Sequence, residues 1–383
     1  MKALFVNPNW KELVSKKEKL VNRPWPPLDL LNYAATFPES EILDLRAKNR
    51  PLEYINNKIR ESDTVYITSS PMDRWQCPNL GIDDFVQFIN SLVDKEKIHL
   101  LGVLPLLYPE KLLQKTKVKG IVKALAEGPL PAYEKIDLDN YHYELMGGRF
   151  AILETARGCP YQCSFCLKIM YGDKVIKKDI QKVKEEIDLL VKLGAKNIYF
   201  IDLELTIEKE RVRAIANYII EKEYKFNWCC QTRADAIDRE LLALMKSSGC
   251  KLIHFGIESG SQRVLDSTNK KISIQKIRLG IKLTKEAGIK TAGFFMFGFP
   301  GETKQEMEQT IEFAKELDVD YASFHAVIPY PGTKITKAPD ESVSKLVKKA
   351  YINFYFRPIR IISALLRPKL LFNQVKLFYN FIR

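Results

Sequence analysis

The chain has 383 residues, 46% of them apolar and 28% charged, with 60 basic against 47 acidic side chains and a formal charge of +13. That mixture suits two or three globular domains and excludes a disordered, collagenous or coiled-coil chain. No stretch approaches the roughly 18 unbroken apolar residues that span a bilayer.

The opening MKALFVNPNW has a short apolar run stopped by Asn7 and Pro8. It reads as a first strand (3–8) rather than the longer apolar region of a signal peptide, so a cytoplasmic location is expected. A helix at 26–37, a strand at 40–45, a helix at 51–61 and a strand at 64–70 follow. The pattern continues with a helix at 85–93 and strands at 98–104 and 120–125. Such alternation predicts a doubly wound parallel sheet over residues 1–130, with its ligand crevice outside the carboxyl ends of the strands. The stretch PLPAYEKIDLDNYHYELMGG (129–148) is rich in Pro, Gly and aromatics and lacks a period, which sets a linker at 131–148.

From Arg149 the alternation resumes, with strands at 150–156, 197–203, 226–232, 251–257, 291–297 and 321–328. Helices fill the gaps at 179–193, 208–222, 238–247, 274–287 and 303–317. Six units over 149–335 predict a partial (β/α)6 barrel, because eight would need more chain. Residues 336–383 form a basic tail with helix-like stretches near 342–356, 359–366 and 370–382. The expected class is therefore α/β: a doubly wound N-terminal domain, a partial barrel and a basic helical tail.

Three of the seven cysteines, Cys159, Cys163 and Cys166, lie within ETARGCPYQCSFCLK as C-x3-C-x2-C. Clustered cysteines in a cytosolic chain point to metal or redox chemistry before disulfides. Thiolates select zinc, copper(I) or iron–sulfur. Structural zinc and an all-cysteine [4Fe–4S] cluster each want four protein ligands, and no fourth Cys or His follows nearby. Three ligands fit a cubane with one iron left open. Cys77, Cys229, Cys230 and Cys250 read as small core residues.

The triplet, with Phe165 directly before its third Cys and a barrel strand before it, resembles the radical SAM superfamily. The resemblance implies a [4Fe–4S] cluster whose open iron chelates S-adenosylmethionine, and reductive cleavage to a 5′-deoxyadenosyl radical that abstracts hydrogen from substrate. It also implies an electron donor such as flavodoxin or ferredoxin. Polar residues punctuate the expected strand ends, where barrel active sites gather: Asp202 and Glu204, Arg233, Glu258 and Ser259, and the GFPGE turn with Gly298 and Gly301. By resemblance, GIESGS and GFPGET cradle the methionyl and adenosyl parts, Arg233 faces a carboxylate, and Asp202 or Glu204 accepts from the amino group or ribose. His254, His325, Tyr161, Tyr171 and Tyr330 are substrate-side candidates, each with core packing as the plainer reading.

Residues 1–130 resemble the cobalamin-binding domain that precedes the barrel in one radical SAM subgroup, through PPLDLLNYAA, SEILDL, TVYITSS, RWQCP and KVKGIVKALAEGP. The D-x-H-x-x-G that would ligate cobalt is absent, and LGVLPLLYPE stands where a Gly-Gly-His-type turn is common. Cobalamin bound without a protein ligand and cobalamin lost altogether both stay open. The expected activity is methyl transfer to an unactivated carbon if cobalamin binds, and oxidation, ring closure or rearrangement otherwise. An iron–sulfur module that no longer cleaves S-adenosylmethionine is the alternative of a different class.

From Glu341 onward nine Lys and Arg stand against one Glu, edged by aromatics and aliphatics. Such a face suits the inner surface of a membrane and a lipid-like substrate, or packing on the barrel. Few Asn and Gln interleave it, which counts against nucleic acid.

Overall fold

The computed structural model describes residues 1–9, 24–72, 75–125, 128–143 and 145–358. The first stretch runs β1 (Lys2–Asn7), α1 (Leu28–Ala34), β2 (Glu39–Asp44), α2 (Leu52–Arg60), β3 (Thr64–Thr68) and α3 (Asp83–Asn90). It continues through β4 (Ile98–Leu101), α4 (Val103–Leu107), α5 (Pro109–Thr116) and β5 (Gly120–Ile121). The strands pair in parallel in the order β2-β1-β3-β4-β5.

Both faces of this sheet are covered, which explains its near-continuous apolar strands. Successive side chains of β1 point to opposite faces. Leu4 and Val6 pack with Ile55, Ile59, Phe85 and Ile89. Ala3 and Phe5 pack with Leu30 and Ala34 of α1. The order places the ligand crevice between β1 and β3, where the connections run in opposite directions.

Two expected strands are shorter than the sequence suggests. The run at 98–104 leaves the sheet after Leu101, because Gly102 turns at φ +97° and Val103 starts α4. A short apolar run reads equally well as strand or helix, and here it is both in succession. Only Gly120–Ile121 of 120–125 pairs.

Residues 131–148 are not a bare linker. The Tyr133 hydroxyl donates to the Ile152 carbonyl, and the Tyr141 hydroxyl donates to Asp44 at 2.8 Å. Tyr143 joins Trp25, Phe150 and Tyr199, with ring centroids 5.2–5.4 Å from Trp25. By packing, the chain divides into one compact unit of residues 1–158 and 167–199 and a second of 159–166 and 200 onward. These boundaries differ from those read off the sequence, since the aromatic stretch packs with the first unit.

The barrel region contains β6 (Phe150–Leu153), β7 (Ala156–Arg157), β8 (Ile176–Lys177), α6 (Ile180–Lys192), β9 (Asn197–Phe200) and α7 (Lys209–Glu221). Next come β10 (Asn227–Thr232), α8 (Arg239–Ser247), β11 (Cys250–Glu258), α9 (Gln262–Ser267) and α10 (Ile274–Glu286). It ends with β12 (Lys290–Phe297), α11 (Lys304–Leu317), β13 (Tyr321–Ala326) and α12 (Glu341–Tyr355). Six strands form one sheet in the order β13-β12-β11-β10-β9-β6. The β10–β11, β11–β12 and β12–β13 pairs are parallel, as an open barrel of βα units requires. β7 and β8 make a small antiparallel pair flanking the cysteine segment, which the sequence did not announce.

α12 closes the free edge of the sheet. It buries Val343, Leu346, Val347, Ala350, Tyr351 and Phe354. The backbone N–H groups of Ala322 and Phe324 donate to the hydroxyls of Tyr355 and Tyr351 at 2.9 and 3.1 Å. Unpaired edge groups are thereby satisfied by side chains. The apolar face expected to lie on a membrane is, over 342–355, spent on this packing. The stretches 359–366 and 370–382 lie outside the described residues. Among the described residues no helix is long and apolar enough to cross a membrane.

Candidate active site

Cys159, Cys163 and Cys166 form no disulfide and are each half-buried, on a loop held within the second unit at several points. The Ser164 N–H donates to the Thr268 carbonyl at 2.9 Å, and the Ser164 carbonyl accepts from Lys334 N–H at 2.9 Å. Asn269 Nδ2 donates to the Gln162 carbonyl at 2.7 Å. A turn from the Cys163 carbonyl to the Cys166 N–H brings the last two cysteines together. Phe165 packs on Phe299 with centroids 5.4 Å apart, and Tyr161 lies under the guanidinium of Arg233.

The turn at 268–271 supports this loop. Asn269 and Lys271 adopt left-handed backbone at φ +56° and +50°. Lys270, 7% exposed, sends its ammonium to Glu258 at 3.0 Å. Burial works against that ammonium, yet Glu258, with Cys163 beside it, outweighs it and holds its pKa above the ordinary lysine value. Glu258 is itself unusual, a non-glycine at φ +67° beside a register shift in β11. A bulge of this kind re-aims the side chain at a strand end.

Arg233 does not present a free fork to a ligand. Its Nε and Nη2 take both carboxylate oxygens of Asp235 at 2.9 Å, and Nη1 and Nη2 donate to the carbonyls of Lys270 and Lys271 at 2.7 and 3.0 Å. The carboxylate partner expected from sequence is thus in its own chain, two residues on, and the rest of the fork fixes the 268–271 turn. Glu204 accepts from the Thr232 hydroxyl and, at 2.8 Å, from the Arg233 N–H. Burial raises its pKa to about 7 despite these donors. Asp202 is buried two residues away.

Ser259 is also committed internally, with its hydroxyl 3.1 Å from that of Thr310 and accepting from the Ser261 N–H at 3.1 Å. In the GFPGE turn, Glu302 accepts from the N–H groups of Gly298 and Phe299 at 2.7 and 3.0 Å. Burial raises its pKa to about 7. A Cβ on Gly298 would meet Pro339 at 2.5 Å, so its bare backbone admits the chain rather than a ligand. Gly301 faces open space.

The concave side of β11–β13 is legible from register. Phe324 is buried against Tyr351 and Phe354 of α12, so Ser323 and His325 stand on the other face. There they pair in register with Phe294 and Met296. His254 stacks on Phe294 at 5.6 Å, and burial lowers its pKa to about 4. Tyr171 and Tyr330 are buried. Cys229, Cys230 and Cys250 are buried as expected, whereas Cys77 is exposed.

Comparison with known proteins places this chain in a class. The model of the radical SAM superfamily matches residues 153–314. An uncharacterized methyltransferase of Pyrococcus horikoshii is 32% identical over 331 residues, covering 76% of this chain and 71% of the relative. The anaerobic magnesium-protoporphyrin IX monomethyl ester cyclase of Rubrivivax gelatinosus is 31% identical over 221 residues, 55% of this chain and 40% of that enzyme. The solved structure of the radical S-adenosylmethionine methyltransferase TsrM from Kitasatospora setae, with cobalamin and a [4Fe-4S] cluster bound, aligns at a TM-score of 0.69 and 17% identity. That alignment covers 88% of this chain and 74% of TsrM, and the likeness is one of fold.

The chain belongs to the radical SAM superfamily and is an enzyme. The family's cofactors are a [4Fe–4S] cluster and S-adenosylmethionine, and the donor set suits the first. Among the described residues no group of three or more His, Cys, Asp or Glu is spaced for a single metal ion. A cubane needs a wider set, since each thiolate takes a different iron.

The sequence reading missed Lys270, Asp235 and Thr232. Its one available signal was the Asn-Lys-Lys turn directly after α9, a place where a short helix returns the chain to the strand ends.

Proposed function

We propose that Cys159, Cys163 and Cys166 hold three corners of the cluster, and that the enzyme is a cobalamin-dependent methyltransferase acting on an unactivated carbon of an apolar substrate. The observation that carries the first part is three half-buried cysteines outside any disulfide, gathered on one loop fixed by hydrogen bonds to Thr268, Asn269 and Lys334. When bound, the cluster and S-adenosylmethionine supply a 5′-deoxyadenosyl radical.

The residues of this chain bind and orient. Glu204 and Asp202 supply buried acceptors for the amino group or ribose hydroxyls, and Glu204 is near its half-protonated point at neutral pH. Gly301 leaves room for the adenosyl part, Ser259 and Gly298 shape the turns around it, and Arg233 orders the turn that carries Lys270. Phe294 and Met296, with His254 and His325 beside them, give the concave face an apolar, weakly basic character that suits an apolar substrate.

Support for cobalamin comes from the crevice between β1 and β3. The Asn7 Oδ1, at the carboxyl end of β1, is buried with no hydrogen-bond partner among the described residues, as a ligand-facing group would be. The only histidine of the parallel sheet, His99, is stacked on Tyr66 at 5.2 Å. Cobalamin would therefore bind without a histidine on its lower face. The relation to the Rubrivivax cyclase favours a second reading, ring closure after hydrogen abstraction in place of methyl transfer, for which the radical itself needs no cobalamin.

Anaerobic reconstitution with iron, sulfide and hydroxocobalamin tests both readings. Release of 5′-deoxyadenosine with S-adenosylmethionine and reductant, together with a protein-bound cobalamin spectrum, is the expected result. Deoxyadenosine without retained cobalamin selects the second reading, and a fully loaded cluster that gives none overturns the radical chemistry.

A further inference from the structure

Lys270 is a buried cation for which neither unit's packing supplies a reason. A lysine stem is rarely this enclosed unless its charge is paired and used. Its ammonium is paired with Glu258 at 3.0 Å and is 5.9 Å from the ring centroid of Phe165, the residue between Ser164 and Cys166. The backbone on either side is pinned from two directions. Thr268 and Asn269 bind the cysteine loop at 2.9 and 2.7 Å, while the Lys270 and Lys271 carbonyls accept from Arg233. The ammonium therefore has little freedom to swing away from the loop. Even a Cβ on Gly256 would meet it at 2.9 Å and Glu258 at 2.6 Å.

Charge near an iron–sulfur cluster sets its reduction potential, because reduction adds an electron to an already anionic centre. A fixed positive charge favours the reduced form, and a low-dielectric surround strengthens the effect. Resting on the reading that Cys159, Cys163 and Cys166 hold the cluster, we propose that Lys270 is a positioning residue for electron entry: its buried ammonium, fixed by Glu258, raises the potential of the cluster. Glu258 both aims the ammonium and partly offsets it. The two side chains thus tune the centre in opposite directions.

The test compares wild type, K270Q, K270R and E258Q, reconstituted anaerobically without S-adenosylmethionine. Iron and sulfide are counted, and the cluster is titrated with mediators by EPR. We expect full iron in all four. At a fixed poise the reduced-to-oxidised ratio of K270Q falls about tenfold, which is about 59 mV for one electron. K270R stays near wild type, and E258Q shifts upward. A K270Q protein with a full cluster at the wild-type potential overturns the proposal. If K270Q loses iron, K270R and E258Q decide: an E258Q potential equal to wild type makes Lys270 purely structural and also overturns it. Wild type that takes up no iron, or C163A that keeps all of it, fails at the earlier step and shows that the cysteine assignment is wrong.

Discussion

The Arg233 guanidinium carbon lies 4.1 Å from the ring centroid of Tyr161, so a residue after β10 covers an aromatic two positions beyond the first cysteine. The same guanidinium holds Asp235 and the 268–271 turn. Arg is suited to this because a planar fork can stack and donate at once, which a lysine cannot do. R233Q should cost about 3 kcal/mol, as expected when one partner of a buried pair is removed. R233K should recover only part of it. Urea denaturation of the apo chain measures both, and an R233K stability equal to wild type would show that the fork is unused.

Removing any one of Cys159, Cys163 or Cys166 by Ala should reduce cluster iron to near background. C229A and C250A should keep it, since those thiols are buried in the sheet and burial raises the Cys229 pKa well above the ordinary value. Iron analysis after anaerobic reconstitution distinguishes the two groups.

Stability should respond to pH through Glu204 and His254 with opposite sign. Glu204 titrates near 7 when folded and near 4.5 when not. Between those values the folded state holds the extra proton, so stability falls as pH rises. His254 titrates near 4 when folded and near 6.5 when not. Over that window the unfolded state holds the extra proton, so stability falls as pH drops. E204Q should therefore flatten the loss from pH 4.5 to 7, and H254L the loss from pH 6.5 to 4. Urea midpoints across pH 4 to 7.5 provide the check.

G298A and G301A separate strain from crowding. Both positions have positive φ, +85° and +73°, so each substitution costs on the order of 1 kcal/mol in backbone strain. Only at Gly298 does the new methyl strike Pro339. G298A should be the more destabilised by roughly 1–3 kcal/mol more, the usual range for overpacking, and should loosen α12 as judged by hydrogen exchange.

The alternation of β1 and the cysteine spacing were legible because each depends on neighbours in sequence. Leu4 and Val6 against Ala3 and Phe5 declare a sheet covered on both sides without any tertiary knowledge. The strand ends were legible for the same reason, and Glu204, Arg233 and Glu258 do converge near the cysteine loop. What those side chains do there was not. Whether the Arg233 fork meets Asp235 or a ligand depends on a rotamer and on carbonyls 37 and 38 residues away. Lys270 was invisible because its importance arises from contact with a loop more than 100 residues earlier. Apolar runs with no period, such as 98–104, read equally well as strand or helix, and Cys77, flanked by Gln76 and Pro78, is exposed where a core place was expected.

One contact fixes when the enzyme becomes competent. The Ser164 carbonyl accepts from the N–H of Lys334, a residue that follows β13. Domains fold as units as the chain emerges during synthesis, yet this loop lacks one of its anchors until nearly the whole barrel has left the ribosome. The geometry of the cysteine loop is therefore completed late, once β13 and the residues that follow it are in place.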